Sequence, residues 1–415
     1  MELKNMIDFL SILIASIIGS FLGILTGLIP GLHTNNLAIL FLFLSSLYPA
    51  NLFFCILLVS ASIAHTFLNI IPSTFIGAPE EDTALVILPA HSMLLEGRGY
   101  EAVCISALAS LSAIIISFFL LIPVKLILGK PINLYYAIEV LVPYILLLIS
   151  IILIFTSENR LNALFIFLLS GLFGFVILNI DVSFLFPSSP LFPALAGLFG
   201  VPALVYSYKQ ILPPQNLEEK SITIKGKDVA GGVMAGGLVS ILPGVSSAVA
   251  TILALLFRKE KQKENTISIL SSANTATNFF VLAMLFIILK ARSGFAIAIG
   301  NMVKIEKWDG LLFPYPFNLF LIAIIISSII SYYSTKFIGR IVAKNISEIS
   351  YSLLLKLSLA IILAMVFIFA GPMGLFILFI ASSIGILCLR MKVRRSLCMG
   401  VLLLPLILNY FLPFL

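Results

Sequence analysis

Thr26-Gly-Leu-Ile-Pro-Gly-Leu-His-Thr-Asn-Asn36 interrupts a long apolar run with a Pro-Gly pair and then a row of polar side chains. Proline lacks a backbone donor and glycine tolerates positive φ, so the pair breaks a helix. Inside lipid such a break is stable only where protein or a water-filled cavity covers it. Breaks of this kind in transporters are where substrates and ions bind. By itself the stretch fits a plain loop between two spans equally well. Recurrence of the pattern is what separates the two readings.

Shifted by 213 positions, Gly19, Gly23, Pro30 and Gly31 fall on Gly232, Gly236, Pro243 and Gly244, with Gly27 on Ser240 and Thr34 on Ser247. The small-residue face and the break therefore recur in one register. A second match pairs Ala64-His-Thr-Phe-Leu-Asn69 with Ala273-Asn-Thr-Ala-Thr-Asn278 at a slightly different shift, as a change in the intervening loop would give. Repeated halves with a broken helix in each are the sequence signature of a secondary transporter. The loop after the first break, Tyr48 to Asn51, carries no charge, whereas its equivalent, Arg258-Lys-Glu-Lys-Gln-Lys-Glu264, is basic. The positive-inside tendency puts these loops on opposite sides of the membrane, which favours an inverted repeat.

Composition sets the class. Of 415 residues, 61% are hydrophobic and 10% charged, with mean hydropathy +1.18. A soluble domain is about half apolar and a quarter charged. The chain is an all-α polytopic membrane protein with room for about ten to twelve spans or half-spans of about 20 residues. Net charge is +7, but the basic residues sit in short loops, which fits a membrane surface and excludes a nucleic-acid partner. Cys55, Cys104, Cys388 and Cys398 lie in apolar runs without CxxC spacing and read as small buried hydrophobes. The N-terminal apolar run lacks an Ala-x-Ala cleavage site and reads as a retained first span.

In chain order, residues 1–208 form the first repeat with supporting spans and 209–228 a hydrophilic linker with Pro213-Pro214 and mixed charges. Residues 229–415 form the second repeat with its supporting spans. Within the first, Pro72, Gly77 and Pro79 argue against a continuous helix. Glu80, Glu81 and Asp82 must reach water or cations, in a surface loop or at a re-entrant tip.

The candidate substrate and ion site draws on both halves. One contributes Pro30, Gly31, His33, Thr34 and Asn35, then His65, Thr66 and Asn69. The other contributes Pro243, Gly244, Ser246 and Ser247, then Asn274, Thr275 and Asn278. Helix N-termini inside the membrane present free N–H groups and partial positive charge, which suit a carboxylate or phosphate. Freed carbonyls with Asn and Thr oxygens suit Na⁺. Lys290 and Arg292 either contact an anionic substrate or mark the end of a span. No cofactor is expected beyond Na⁺ or H⁺ as a coupling ion. The three histidines, His33, His65 and His91, lack the HExxH arrangement, and no Gly-x-Ser-x-Gly elbow or Walker A loop is present, so enzyme readings and a metal site do poorly.

Gly27-Leu-Ile-Pro-Gly-Leu, Ile241-Leu-Pro-Gly-Val-Ser, the two Ala-x-Thr-x-x-Asn segments, Gly77-Ala-Pro and Leu95-Glu-Gly-Arg-Gly resemble the large permease subunit of tripartite tricarboxylate transporters, the TctA family, and its shorter archaeal members in particular. The resemblance covers about residues 15 to 310. It implies a secondary transporter in the cytoplasmic membrane for di- or tricarboxylates, driven by Na⁺ or H⁺, with a small membrane subunit and an extracytoplasmic binding protein as partners. The chain departs from the family pattern at His33-Thr34 and Val245-Ser246, which replace glycine-rich continuations, and at Leu289 to Gly294, which lacks a Gly-x-Pro-Gly turn. Three other readings remain: a translocator of lipid-linked anions of the polyprenyl-phosphate type, an intramembrane enzyme using His33 or His65 with nearby carboxylates, and a purely structural membrane subunit with its Pro-Gly breaks apart on the outside of the fold.

Overall fold

The computed structural model describes residues 9–30, 34–48, 51–77, 85, 87–185, 189–207, 213–218, 223–241, 254–255, 262–346 and 351–411. Among these residues the regular structure is entirely helical. The first half holds α1 (Phe9–Leu28), α2 (Thr34–Leu47), α3 (Asn51–Leu68), α4 (Ile70–Phe75), α5 (Ile87–Leu95), α6 (Gly99–Leu128), α7 (Tyr135–Phe155) and α8 (Arg160–Ile177). Next, α9 (Leu191–Leu195) runs through a π-turn (Ala196–Gly200) into α10 (Val201–Ser207). The second half holds α11 (Gly226–Val239), α12 (Lys263–Ile287), α13 (Gly294–Met302), α14 (Phe317–Ile346), α15 (Tyr351–Arg390) and α16 (Gly400–Phe411). Eight helices among the described residues are long and apolar enough to cross a membrane. The 14-residue α2 and α11 are about 21 Å long, short of a hydrocarbon core of about 30 Å. They are the half-spans that the sequence reading allowed for.

Two of the long helices form the centre. The spanning windows of α3–α4 and α12 are 94% buried, against 28–44% for the other six. The glycine faces explain how a neighbour reaches them. Gly19 and Gly23 of α1 lie against the backbone of α3, where an added Cβ would stand 2.4 Å from the Leu57 carbonyl oxygen and 2.3 Å from that of Ala61. Gly232 and Gly236 of α11 lie the same way on α12, 2.5 Å from the Ile269 carbonyl and 2.6 Å from that of Ala273. Only a residue without Cβ permits such approach, as at small-residue interfaces in membranes. In each pair the residue numbers rise together, so α1 runs parallel to α3, and α11 to α12.

The two central helices run in opposite directions. Asn51, at the start of α3, donates its side-chain amide to the Met302 carbonyl at 2.9 Å, and Gly300 faces Leu285 in the last turn of α12. At the other face Arg98 pairs with Glu101 and with Glu264, in the first turn of α12. The Glu101 carboxylate, bonded to Arg98, and that of Glu264 raise the pKa of this guanidinium further. The intermediate segment 213–218 docks on this face. Gln215 Oε1 accepts from the Gly99 N–H at 2.9 Å, and the Asn216 N–H donates to the Gly97 carbonyl at 2.8 Å. At the face where α12 ends, Lys290 bonds Glu139 at 2.8 Å, which raises the lysine pKa.

One sequence expectation changes in detail. Pro72 does not stop the chain from continuing as a helix: it sits in the first turn of α4, where its missing N–H has no intrahelical partner to lose. The stop comes at Gly77, with φ +65°. In α15 the break is sharper. Gly371, at φ 61° and ψ −158°, precedes Pro372, and a Cβ on Gly374 would stand 3.3 Å from the Val366 carbonyl oxygen. Eight residues of continuous helix would separate those positions by about 12 Å. The chain therefore doubles back here. Leu355, Ile362 and Val366 before the turn join the apolar core around α3 and α12. Ile377, Ala381 and Ile384 beyond it join a second core with α7, α8, α9 and α16.

Candidate functional site

Of the polar residues singled out in the two halves, Thr66 and Thr275 meet where α3 crosses α12. Thr275 Oγ1 donates to Thr66 Oγ1 at 3.2 Å, and Thr66 Oγ1 donates in turn to the Ile63 carbonyl at 2.8 Å. Both threonines are buried. Thr66 lies 15 residues from the start of α3, in its last turn before α4 carries the span on, and Thr275 lies at the middle of α12. On the preceding residue, His65 Nδ1 is 3.1 Å from Thr26 Oγ1 of α1, and that hydroxyl also reaches the Gly23 carbonyl at 3.1 Å. On the other side Thr277 Oγ1 donates to the Ala273 carbonyl at 2.8 Å and lies 3.5 Å from the Gly236 carbonyl of α11.

Among the described residues, Asn69 Nδ2 and Asn274 Oδ1, close in sequence to the two threonines, are buried polar atoms without a hydrogen-bond partner, as are Ser60 Oγ of α3 and Thr74 Oγ1 of α4. Asn69 and Asn274 are 2% and 3% exposed, so water does not cover them from outside. Each orphaned polar group costs about 1–3 kcal/mol of desolvation. Native proteins keep few of them, and a cluster of them calls for a ligand, an ion or enclosed water. The set offers both kinds of chemistry: Nδ2 is a donor for an anion, while Oδ1 and the hydroxyls are oxygens for a cation.

The other expected site residues divide cleanly. Pro30 is buried at the end of α1 and Thr34 is buried at the start of α2. Asn35 lies in the first turn of α2, and nothing is described of its side chain. Asn278 is half-buried and turns back to donate to the Asn274 carbonyl at 3.4 Å. Gly31, His33, Pro243, Gly244, Ser246 and Ser247 lie outside the described residues, as do Glu80, Glu81 and Asp82. Thr26, Ser60 and Thr74 were absent from the expected set. Thr26 carried a signal, since it precedes the last glycine of the α1 face and opens the decisive stretch. Lys290 and Arg292 are away from the crossing: they bracket the Tyr135 ring at the end of the second central helix, with Glu139.

The contacts also shift the register of the second sequence match. Gly23 meets Ala61 and the Ala64 Cβ, and Gly236 meets Ala273 and the Ala276 Cβ. Ala61 and Ala64 thus correspond to Ala273 and Ala276, and Ser60-Ala-x-x-Ala-x-x-Phe67 to Ser272-Ala-x-x-Ala-x-x-Phe279. The match of Ala64-His-Thr with Ala273-Asn-Thr was three residues out, almost one turn. It followed polar identities, whereas packing is set by the small residues that the glycines touch.

A family model described as the tripartite tricarboxylate transporter TctA family matches residues 13–400. The chain belongs to the TctA family. An uncharacterized protein of Methanocaldococcus jannaschii is 30% identical over 410 residues, covering 95% of this chain and 98% of that protein. No solved structure matches. The TctA match extends well past residue 310, where the resemblance was expected to fade, and takes in α14 and α15. As a TctA-family member with these helices, the chain is a multi-pass membrane protein of the cell membrane and a component of a transporter. The family's tripartite description implies further subunits.

Proposed function

We propose that this protein is a secondary transporter that carries a small organic anion, of the di- or tricarboxylate class, in symport with a cation. The observation that carries the reading is the pair of orphaned buried amides, Asn69 just past α3 and Asn274 of α12, each close in sequence to the Thr66–Thr275 contact. Asn69 Nδ2 supplies an N–H for a carboxylate, and Asn274 Oδ1 with the neighbouring hydroxyls supplies oxygens for Na⁺. The stretches around Pro30-Gly31 and Pro243-Gly244 complete the site from the two halves. The halves are inverted repeats. This accords with α1 and α3 running opposite to α11 and α12, and with matching glycine contacts in the two pairs.

The face bearing Arg98, Arg160, Lys225, Lys263, Arg390 and Arg394 is cytoplasmic, by the positive-inside tendency. The partners are a small membrane subunit and an extracytoplasmic binding protein that delivers the anion to the opposite face. The crossing lies between the two most buried helices, which weighs against a site open sideways to lipid and hence against a lipid-linked anion. Uptake of labelled citrate and succinate into proteoliposomes, with and without a Na⁺ gradient, tests the reading. Gradient-driven uptake that is lost in Asn69→Ala and Asn274→Ala supports it. Undiminished uptake in both variants rules this site out.

A further inference from the structure

A groove of about 610 Å³ runs between α8 and the second half of α15, far from the central crossing. Its walls are Leu172, Phe173 and Val176 on one side and Met373, Phe376 and Ile380 on the other. The one polar lining residue, Ser383, already donates to the Phe379 carbonyl of its own helix at 3.0 Å. The groove therefore makes no demand for a polar occupant. It extends along α15 from Met373 to Leu387, about 21 Å at 1.5 Å per residue. One leaflet of hydrocarbon is about 15 Å deep.

One end of the groove is marked by charge. Arg390 lies one turn beyond Leu387, and Arg160 opens α8. Arg394 reaches back to Thr156, just before α8, at 3.4 Å. Glu158 is the acidic residue of that loop, outnumbered by exposed Arg160, Arg390, Lys392 and Arg394. Among the described residues neither Arg390 nor Arg394 forms an ion pair. Basic clusters at the cytoplasmic end of grooves between spanning helices suit anionic headgroups.

We propose that the α8–α15 groove binds one anionic phospholipid, with an acyl chain along Val176 and Phe376 and its phosphate at Arg390 and Arg394. The bound lipid fills the gap between a peripheral helix and the helical hairpin, and so stiffens the second core. This site is independent of the transport reading.

The test adds dioleoylphosphatidylglycerol or dioleoylphosphatidylcholine to the full-length protein in detergent, counting bound lipid by native mass spectrometry and following thermal unfolding. The anionic lipid should bind more tightly and raise the melting temperature more. Replacing both arginines (Arg390→Gln with Arg394→Gln) should weaken phosphatidylglycerol about tenfold or more and leave phosphatidylcholine unchanged. Both arginines are exposed, so folding is preserved. Val176→Trp, on the exposed groove wall, should reduce binding of both lipids. Equal binding of the two lipids by the native protein, or an unchanged preference in the double variant, overturns the proposal. So does a dimer in detergent that Val176→Trp dissociates, because a second copy then occupies the groove.

Discussion

Asn69 and Asn274 carry polar atoms that the fold itself leaves unsatisfied. A structural amide behaves differently from a functional one when it is removed. Asn69→Leu and Asn274→Leu keep side-chain volume, break no bond made by the orphaned atom and remove a desolvation penalty of about 1–3 kcal/mol. Both variants should therefore melt no lower than the native protein while losing substrate uptake. A fall of several degrees would show that these amides hold the fold. Thr66 and Thr275 contrast with them, because their bond is made. Thr275→Val should cost about 1 kcal/mol and Thr66→Val more, because the Thr66 hydroxyl also bonds the Ile63 carbonyl, while the double variant should cost little more than Thr66→Val alone, since the bond between the two threonines is lost only once. Denaturation of the four proteins gives the coupling directly.

Packing of whole helices depends on glycines that are adjacent in sequence but unlike in role. A Cβ on Gly232 would stand 2.0 Å from Ser272 Oγ and 2.5 Å from the Ile269 carbonyl, whereas one on Gly231 meets nothing within 4 Å. Gly232→Ala should separate α11 from α12 and destabilise by about 1–3 kcal/mol, as overpacking does. Gly231→Ala should stabilise by about 0.5–1 kcal/mol through helix propensity. Thermal melts of the two variants, one residue apart, test whether the α11 face has been assigned correctly. The faces were legible in sequence because glycine every fourth residue has one reading on a helix. Which partner they touch was not, since the nearest helix in sequence, α2, is not the one on which α1 rests its glycines.

For the whole molecule, charge orients what packing has assembled. Lys304 is exposed at the face where α12 ends, and Glu158 is exposed in the loop between α7 and α8, at the opposite face. The four native cysteines are buried. With a membrane-impermeant maleimide, Lys304→Cys should be labelled on intact cells and Glu158→Cys only after permeabilisation. The reverse pattern would invert the assignment of faces. The hydrophilic segment that divides the chain in sequence also acts at this scale, because Gln215 and Asn216 fasten it to the turn before α6. A composition shift marked the segment, but only side-chain contacts show that part of it is anchored.

The sequence by itself determined the membrane class, the helical architecture and the two small-residue faces. Each of these follows from local chemistry: hydropathy over a bilayer's thickness and the absence of Cβ. Tertiary structure alone decided that α3 and α12 are the buried centre, that Thr66 meets Thr275, and that α15 is a hairpin. It also decided the register of the second match. Polar identities suggested one alignment and alanine positions another, and two helices can approach closely only where their small residues coincide.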